Sequence, residues 1–504
     1  MQYQSSFYSS KLFKAVQQAG IFADSKTFAD AVANSPVDEI EAQFALQQPK
    51  GQDLLTFVQA HFSFQAATEL QALPRLSNAK QYIAELWQRL SRQPSVTTKG
   101  SLLPLPHPYV VPGGRFNEIY YWDSYFTALG LMDVGREDLV AGMLNNFISL
   151  IASFGHVPNG NRDYYQSRSQ PPVTALMVDL LWQQISEDDA WLETVTDALE
   201  KEYAFWMAVD DKGAEQVAQR RVVHMPCGGR LNRYWDPLQL PRPESFKEDL
   251  ELAQSAPNPD ILYQHIRAAC ESGWDFSSRW LADPQTLSSI RTTDIIPVDL
   301  NALMLLLEQQ LEKCWSNLAK PHQAKHYGKL AEKRQALLQQ YFWCEQGGWY
   351  YDLELSDYSR AKVCSLAATA VLFAKVPTPQ QAQKMAANIE RRFLKQGGLV
   401  TTLNHTEQQW DAPNGWAPLQ WFAVAGLAHY GQTKLAEAIM RAWLYAVETG
   451  FEHHGCLLEK YNVEHPEQRA SGGEYVVQQG FGWTNGVSSR FYHLLENGFD
   501  TLSG

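Results

Sequence analysis

Five acidic residues stand where glycine and aromatic side chains crowd around them. They are Asp123 in PGGRFNEIYYWDSY, Asp275 in ESGWDFSSRW, Asp411 in QQWDAPNGWAP, Glu459 in LLEKY and Glu474 in GGEY. A carboxyl group desolvated by aromatic rings holds its proton, whereas one served by cations or hydrogen-bond donors gives it up. Two carboxyls held apart in this way can protonate a leaving oxygen and activate a water, the pairing that cleavage of a glycosidic bond requires. Asp275 is the best candidate acid, since Trp274, Phe276 and Trp280 flank it; the rival role is a helix N-cap, because Ser277 and Ser278 follow. For the base, Glu459 and Glu474 remain equal on residue chemistry. The first has Lys460 beside it as an ordinary ion-pair partner, the second reads equally well as a solvated loop acid, and Asp123 and Asp411 stay open as well.

The stretch 112–125 gathers Arg115, Glu118, Trp122 and Asp123 beside Gly113 and Gly114 with no period of 2 or 3.6, which indicates a polar binding surface rather than core. Sugars fit such a surface: their hydroxyls pair with Arg and carboxylates, and their ring faces lie on Trp or Tyr. Sixteen Trp and 12% aromatic residues in 504 agree with a ring-binding cleft. The net charge of −13 and the lack of any Lys/Arg block make nucleic acid and anionic membrane poor partners. No apolar run approaches the roughly 18 residues of a membrane helix, and MQYQSSFYSSKLFKAVQQAG lacks the pattern of an export leader. Six scattered cysteines show no CxxC and the histidines no HExxH, so reduced thiols, no metal and no cofactor are expected. Together these point to the cytoplasm, or to the periplasm if a leader has been removed.

Positioning these loops falls to helices. Leu300, Leu303, Met304, Leu307 and Leu311 follow helical spacing, as do Leu435, Ile439, Trp443 and Ala446 behind Thr433 as a possible cap. Further helices are expected over 28–47, 53–72, 79–92, 123–154, 173–186, 189–208, 258–271, 322–342, 365–375, 379–394 and 417–430, with little strand alternation. Helix after helix followed by a loaded loop argues for an all-α ring that gathers its loops at one end. Residues 1–95 lack such loops and are expected as a helical extension packed on a catalytic domain over 96–504.

PGGRFNEIYYWDSY and QWDAPNGWAP resemble the two signature stretches of the trehalases of glycoside hydrolase family 37, and GGEYVVQQGFGWTNG resembles that family's C-terminal glycine-rich block. LPLPHPYVVPGGRF, GHVPNGNRDYYQSRSQPP, RPES, SGWDFSSRW and EKY extend the resemblance over about residues 100–490. It implies an (α/α)6 toroid that hydrolyses α,α-trehalose to two glucoses with inversion, without a metal, and as a monomer. By the same resemblance Asp275 is the acid and Glu459 the base, and Arg115, Arg168 and Arg242 are the essential arginines. Sugar contacts carry over to Trp122, Asp123, Asn159, Gln170, Glu244, Gly273 and Glu474, with Ser169 and Pro243 inside the SRSQ and RPE motifs. Inversion implies an acid–base separation of about 6.5–9.5 Å. Arginines near Glu459 are expected to keep it ionised while the aromatic wall keeps Asp275 neutral. The run Ala470-Ser471-Gly472-Gly473 departs from the family in being shorter in glycine. A toroid glycosidase for another glucoside, or a silent sugar sensor on the same scaffold, are the rival readings; the second would follow naturally only if Asp275 or Glu459 were replaced.

Overall fold

Leu300, Leu303, Met304, Leu307 and Leu311 fall on one face of the helix Val298–Asn317 and are all buried. In the computed structural model, which describes residues 5–64, 78–95, 97–98, 100–210 and 217–499, this helix is part of a closed ring. Tyr121–Asp133, Thr174–Leu180, Val298–Asn317, Thr369–Phe373, Ala417–His429 and Gly482–Asn497 each pack on the next, and the last returns to the first. Ala417–His429 is buried on nearly every side, as a helix must be when neighbours flank it and a second layer backs it. Glu137–Phe154, Asp189–Trp206, Pro321–Leu337, Pro379–Asn388, Thr433–His454 and Ala79–Leu90 form that outer layer. The architecture is an (α/α)6 toroid. Among the described residues, strands of two or three residues form short antiparallel pairs in the connections and one three-stranded sheet of Ala218–Gln219, Val222–His224 and Arg230–Asn232.

The ring closes where Tyr121–Asp133 crosses Gly482–Asn497, and the crossing is glycine on glycine. A Cβ on Gly130 would stand 2.7 Å from Gly486 Cα, and one on Gly486 would run into the Phe126 carbonyl. Of residues 1–95, the helices Lys11–Ala19, Lys26–Ala29, Val37–Gln47 and Gln52–His61 build a satellite core around Phe13, Phe28 and Phe57 that packs on Tyr164, Tyr165 and Phe246. Ala79–Leu90 instead joins the main core, against Gly482–Asn497 and Thr433–His454.

Several expected helices prove shorter. The run 123–154 is broken at Val134-Gly135-Arg136, 28–47 at 30–36, and 173–186 at Leu181. The runs 322–342 and 379–394 each end in a π-helical turn, Leu338–Phe342 and Ile389–Phe393. Over 365–375 only a 3-10 turn and Thr369–Phe373 form. The part of 53–72 beyond residue 64 lies outside the described residues. Thr433 is the first helical residue and Gln432 takes the cap position, without a side-chain bond. Three helices were not expected: Lys11–Ala19 and Phe246–Ala253, although Leu12, Phe13 and Val16 in the first and Phe246, Leu250 and Ala253 in the second keep helical spacing, and Gly482–Asn497, which opens inside the glycine-rich block.

Candidate active site

The loops at one end of the ring enclose a pocket lined by Arg115, Trp122, Asp123, Asn159, Arg168, Gln170, Arg242, Glu244, Gly273, Asp275, Glu459 and Glu474. Ser169 and Pro243 do not line it. Ser169 is fully buried, its Oγ donating to Val157 O at 2.7 Å and its N–H to Glu271 Oε1 at 3.0 Å. Pro243 opens the 3-10 turn Pro243–Ser245 behind Glu244, and its carbonyl accepts from Gln17 Nε2 at 3.3 Å. Both are framework for their neighbours. Asp411 likewise stands outside the lining, surrounded by hydroxyl donors from Ser277, Ser278, Thr402 and Thr406.

Asp275 follows the turn that ends the helix Pro259–Glu271. It caps no helix: the cap of Ser278–Trp280 is Ser277, whose side chain accepts from Arg279 N. Gly273, at φ +75°, lets that turn lie against Trp122, since a Cβ there would come 2.9 Å from the indole. Next to Asp275, Trp274 stacks on Trp410 with centroids 5.3 Å apart, and Trp410 stacks on Trp416 at 3.9 Å. Burial in this wall pushes the Asp275 carboxyl up to about 7, with Glu474 and Glu459 adding to the rise and Arg242 opposing it. Asp123, in the first turn of Tyr121–Asp133, is raised well above the usual carboxylate range by burial, and Glu459 and Asp275 raise it further.

Glu459 enters from the strand-like stretch before Tyr461. Its Oε1 accepts from Tyr475 Oη at 2.9 Å and its Oε2 from the Gln478 N–H at 3.3 Å. Burial still raises its pKa, against Lys460, these two donors and Arg115 in descending order. The expectation that arginines keep Glu459 ionised therefore needs correcting: the leading opposing charge is Lys460, and Arg115 contributes least of the four. Arg115 instead donates to Asp24 Oδ1 at 2.6 Å and lies over the Tyr475 ring at 4.6 Å. Lys460 does not form the simple ion pair its position suggests; its Nζ donates to Gln409 Oε1 and Gly472 O, each at 2.8 Å.

The other two arginines pair with acids across the pocket. Arg168 reaches Glu244 Oε1 at 2.5 Å and Asn159 Oδ1 at 3.0 Å. Arg242 spans Asp249 Oδ1 at 2.6 Å and Glu474 Oε1 at 2.9 Å. Burial of Glu244 is outweighed by Arg168, Arg242 and Arg267, which hold its carboxyl below the ordinary value. The Trp122 N–H donates to Gln170 Oε1 at 3.2 Å, fixing the amide toward the pocket. Such a site offers fixed donors and acceptors in alternation over an aromatic floor, which suits a ligand dense in hydroxyls. Among the described residues no three His, Cys, Asp or Glu are arranged to hold a metal.

Residue reasoning missed Phe116, Tyr120, Tyr165, Trp416, Tyr475, Phe481 and Trp483, which also line the pocket. Tyr475 is the consequential omission, and its position next to Glu474 was the available signal.

A trehalase family model matches residues 20–496. Periplasmic trehalases of Escherichia coli, in strains O1:K1 / APEC and K12 / DH10B, are 46% identical over 489 residues, covering 96% of this chain and 86% of their own. The neutral trehalase of Saccharomyces cerevisiae shares the fold with a TM-score of 0.66 at 23% identity, over 97% of this chain and 94% of its own. A mannosylglycerate hydrolase of Thermus thermophilus does so at 0.53 and 19% identity, over 82% and 99%. The periplasmic names of the bacterial relatives overturn the expectation of a cytoplasmic location. That expectation rested on the missing export leader, which does not by itself fix a compartment. With its motifs gathered in one pocket at the mouth of an (α/α)6 ring, and with near-full-length similarity to these enzymes, the chain belongs to the trehalase family of glycoside hydrolases.

Proposed function

We propose that the chain hydrolyses α,α-trehalose by a single inverting displacement, with Asp275 as general acid and Glu459 as general base. One observation carries the assignment: the two carboxyls line the same pocket in different surroundings, Asp275 against stacked indoles and Glu459 under two hydrogen-bond donors. Asp275, protonated up to about pH 7, gives its proton to the bridging oxygen as the bond to the anomeric carbon breaks. Glu459 takes a proton from a water that attacks the same carbon from the opposite face. The glucose that is attacked leaves as the β anomer and the other as the α anomer.

Arg115, Arg168, Arg242, Glu244 and Glu474 act as the polar frame for the hydroxyls, with Asn159, Gln170 and Asp123 as further partners and Trp122 as a ring platform. Action as a monomer is proposed from the family resemblance alone. The compartment proposed is the periplasm, after the relatives. The test is substitution with binding measured separately. Glu459→Gln and Asp275→Asn are each expected to lower kcat by about 10³-fold or more while trehalose still binds calorimetrically. Full turnover in either variant would remove that residue from its role.

A further inference from the structure

The loop that carries Asp275 is held by three consecutive residues of another loop. Gln409 Nε2 donates to the Asp275 carbonyl, the Trp410 N–H donates to Phe276 O at 3.0 Å, and Asp411 accepts from Ser277 Oγ at 3.0 Å and Ser278 N at 2.8 Å. The 409–411 stretch therefore grips 275–278 residue by residue. Asp411 is anchored in turn by the Thr402 hydroxyl at 2.7 Å and the Thr406 hydroxyl at 2.6 Å. This accounts for an acid that residue chemistry left open as a catalytic candidate.

Gln409 is the member whose orientation is set from outside. Its Oε1 accepts from Lys460 Nζ, and its carbonyl accepts from Asn414 Nδ2 and Trp416 Nε1, each at 3.0 Å. An amide whose oxygen is committed to an ammonium has only its N–H groups left to present to a carbonyl. Lys460 is itself fully buried, with Gly472 O as its other acceptor and the Trp416 ring at 5.3 Å. A buried ammonium so partnered is costly to disturb, so it works as a fixed point. Glu459 and Asp275 are the acids that raise its pKa against the effect of burial.

We propose that Gln409, oriented by Lys460, is a positioning residue for proton donation: it holds the Asp275 backbone so that the carboxyl meets the leaving oxygen. The proposal rests on the reading of Asp275 as the acid. Misplacing a reacting group by an ångström costs about 10²-fold, so the loss should fall on the acid-assisted step alone.

The test compares two substrates. In α-D-glucosyl fluoride the leaving fluoride departs without prior protonation, whereas trehalose needs the acid. Gln409→Glu keeps an acceptor for Lys460 but has no N–H for the Asp275 carbonyl. It is expected to lower kcat on trehalose by about 30-fold with KM within about threefold, and to leave hydrolysis of the fluoride within about threefold. Equal losses on the two substrates, or no loss on trehalose, would overturn the proposal. Asp275→Asn run in parallel separates the two claims. If it spares the fluoride while trehalose turnover collapses, the acid stands and only the role of Gln409 is at stake; if it loses both substrates alike, the acid reading falls and the positioning proposal with it.

Discussion

Tyr475 and Asp275 place the chemistry on the pH scale. The Tyr475 hydroxyl favours the ionised form of Glu459, and burial favours the protonated form of Asp275. Activity should therefore fall as pH rises through about 7, where Asp275 loses its proton, and should fall again on the acid side where Glu459 gains one. Tyr475→Phe removes a bond that lowers the Glu459 pKa, so the acid limb should move to higher pH and kcat should drop about tenfold, both read from a pH–rate profile. An unmoved acid limb would show that the hydroxyl does not act on the base. The same burial has a stability cost of known sign. Asp275 has a folded pKa above its unfolded value, so the native state binds more protons between the two, and its contribution to stability is present at low pH and lost as pH rises through about 7. Asp275→Asn should thus raise the melting temperature at pH 8 and have little effect, or the opposite one, at pH 4; a stabilisation that did not grow with pH would contradict this.

The elements were legible where apolar residues recur at helical spacing over several turns, whether the helix is buried on one face or, like Val298–Asn317, nearly all round. Val298–Asn317 and Thr433–His454 alternate apolar and polar residues at helical spacing and were readable from it. Gly482–Asn497 was not, because GWTNG opens it with weak helix formers and its position is decided by contact with Tyr121–Asp133 rather than by propensity. Gly486→Ala must push aside the Phe126 carbonyl, a backbone atom with no rotamer to yield, and should cost about 1–3 kcal/mol, seen as a lower melting temperature. If the variant melts like the parent, the helices are not in close register there. Motif density in the loops likewise made most of the pocket readable. The bonds between loops were not, since Asp24 with Arg115 and Tyr475 with Glu459 join residues that only the tertiary fold brings together.

At the scale of the whole molecule, the ring assembles a site from segments spread between Arg115 and Trp483, and the N-terminal segment reaches it through Asp24. The satellite core of that segment rests on Tyr164, Tyr165 and Phe246, next to the loops of Arg168 and Arg242, and Asp24 holds the guanidinium of Arg115. Asp24→Asn should raise KM for trehalose by about three- to tenfold with the melting temperature nearly unchanged, because Asp24 is part-exposed and its pairing orients Arg115 rather than stabilising the core. An unchanged KM would detach the N-terminal segment from the site. The proposed single displacement turns on the stereochemistry of the reaction. Proton NMR of the anomeric signals in the first minutes of trehalose hydrolysis should show α- and β-glucose appearing in equal amounts, and neither with Asp275→Asn. Release of α-glucose alone would mean retention, and a single displacement by water activated at Glu459 would be contradicted.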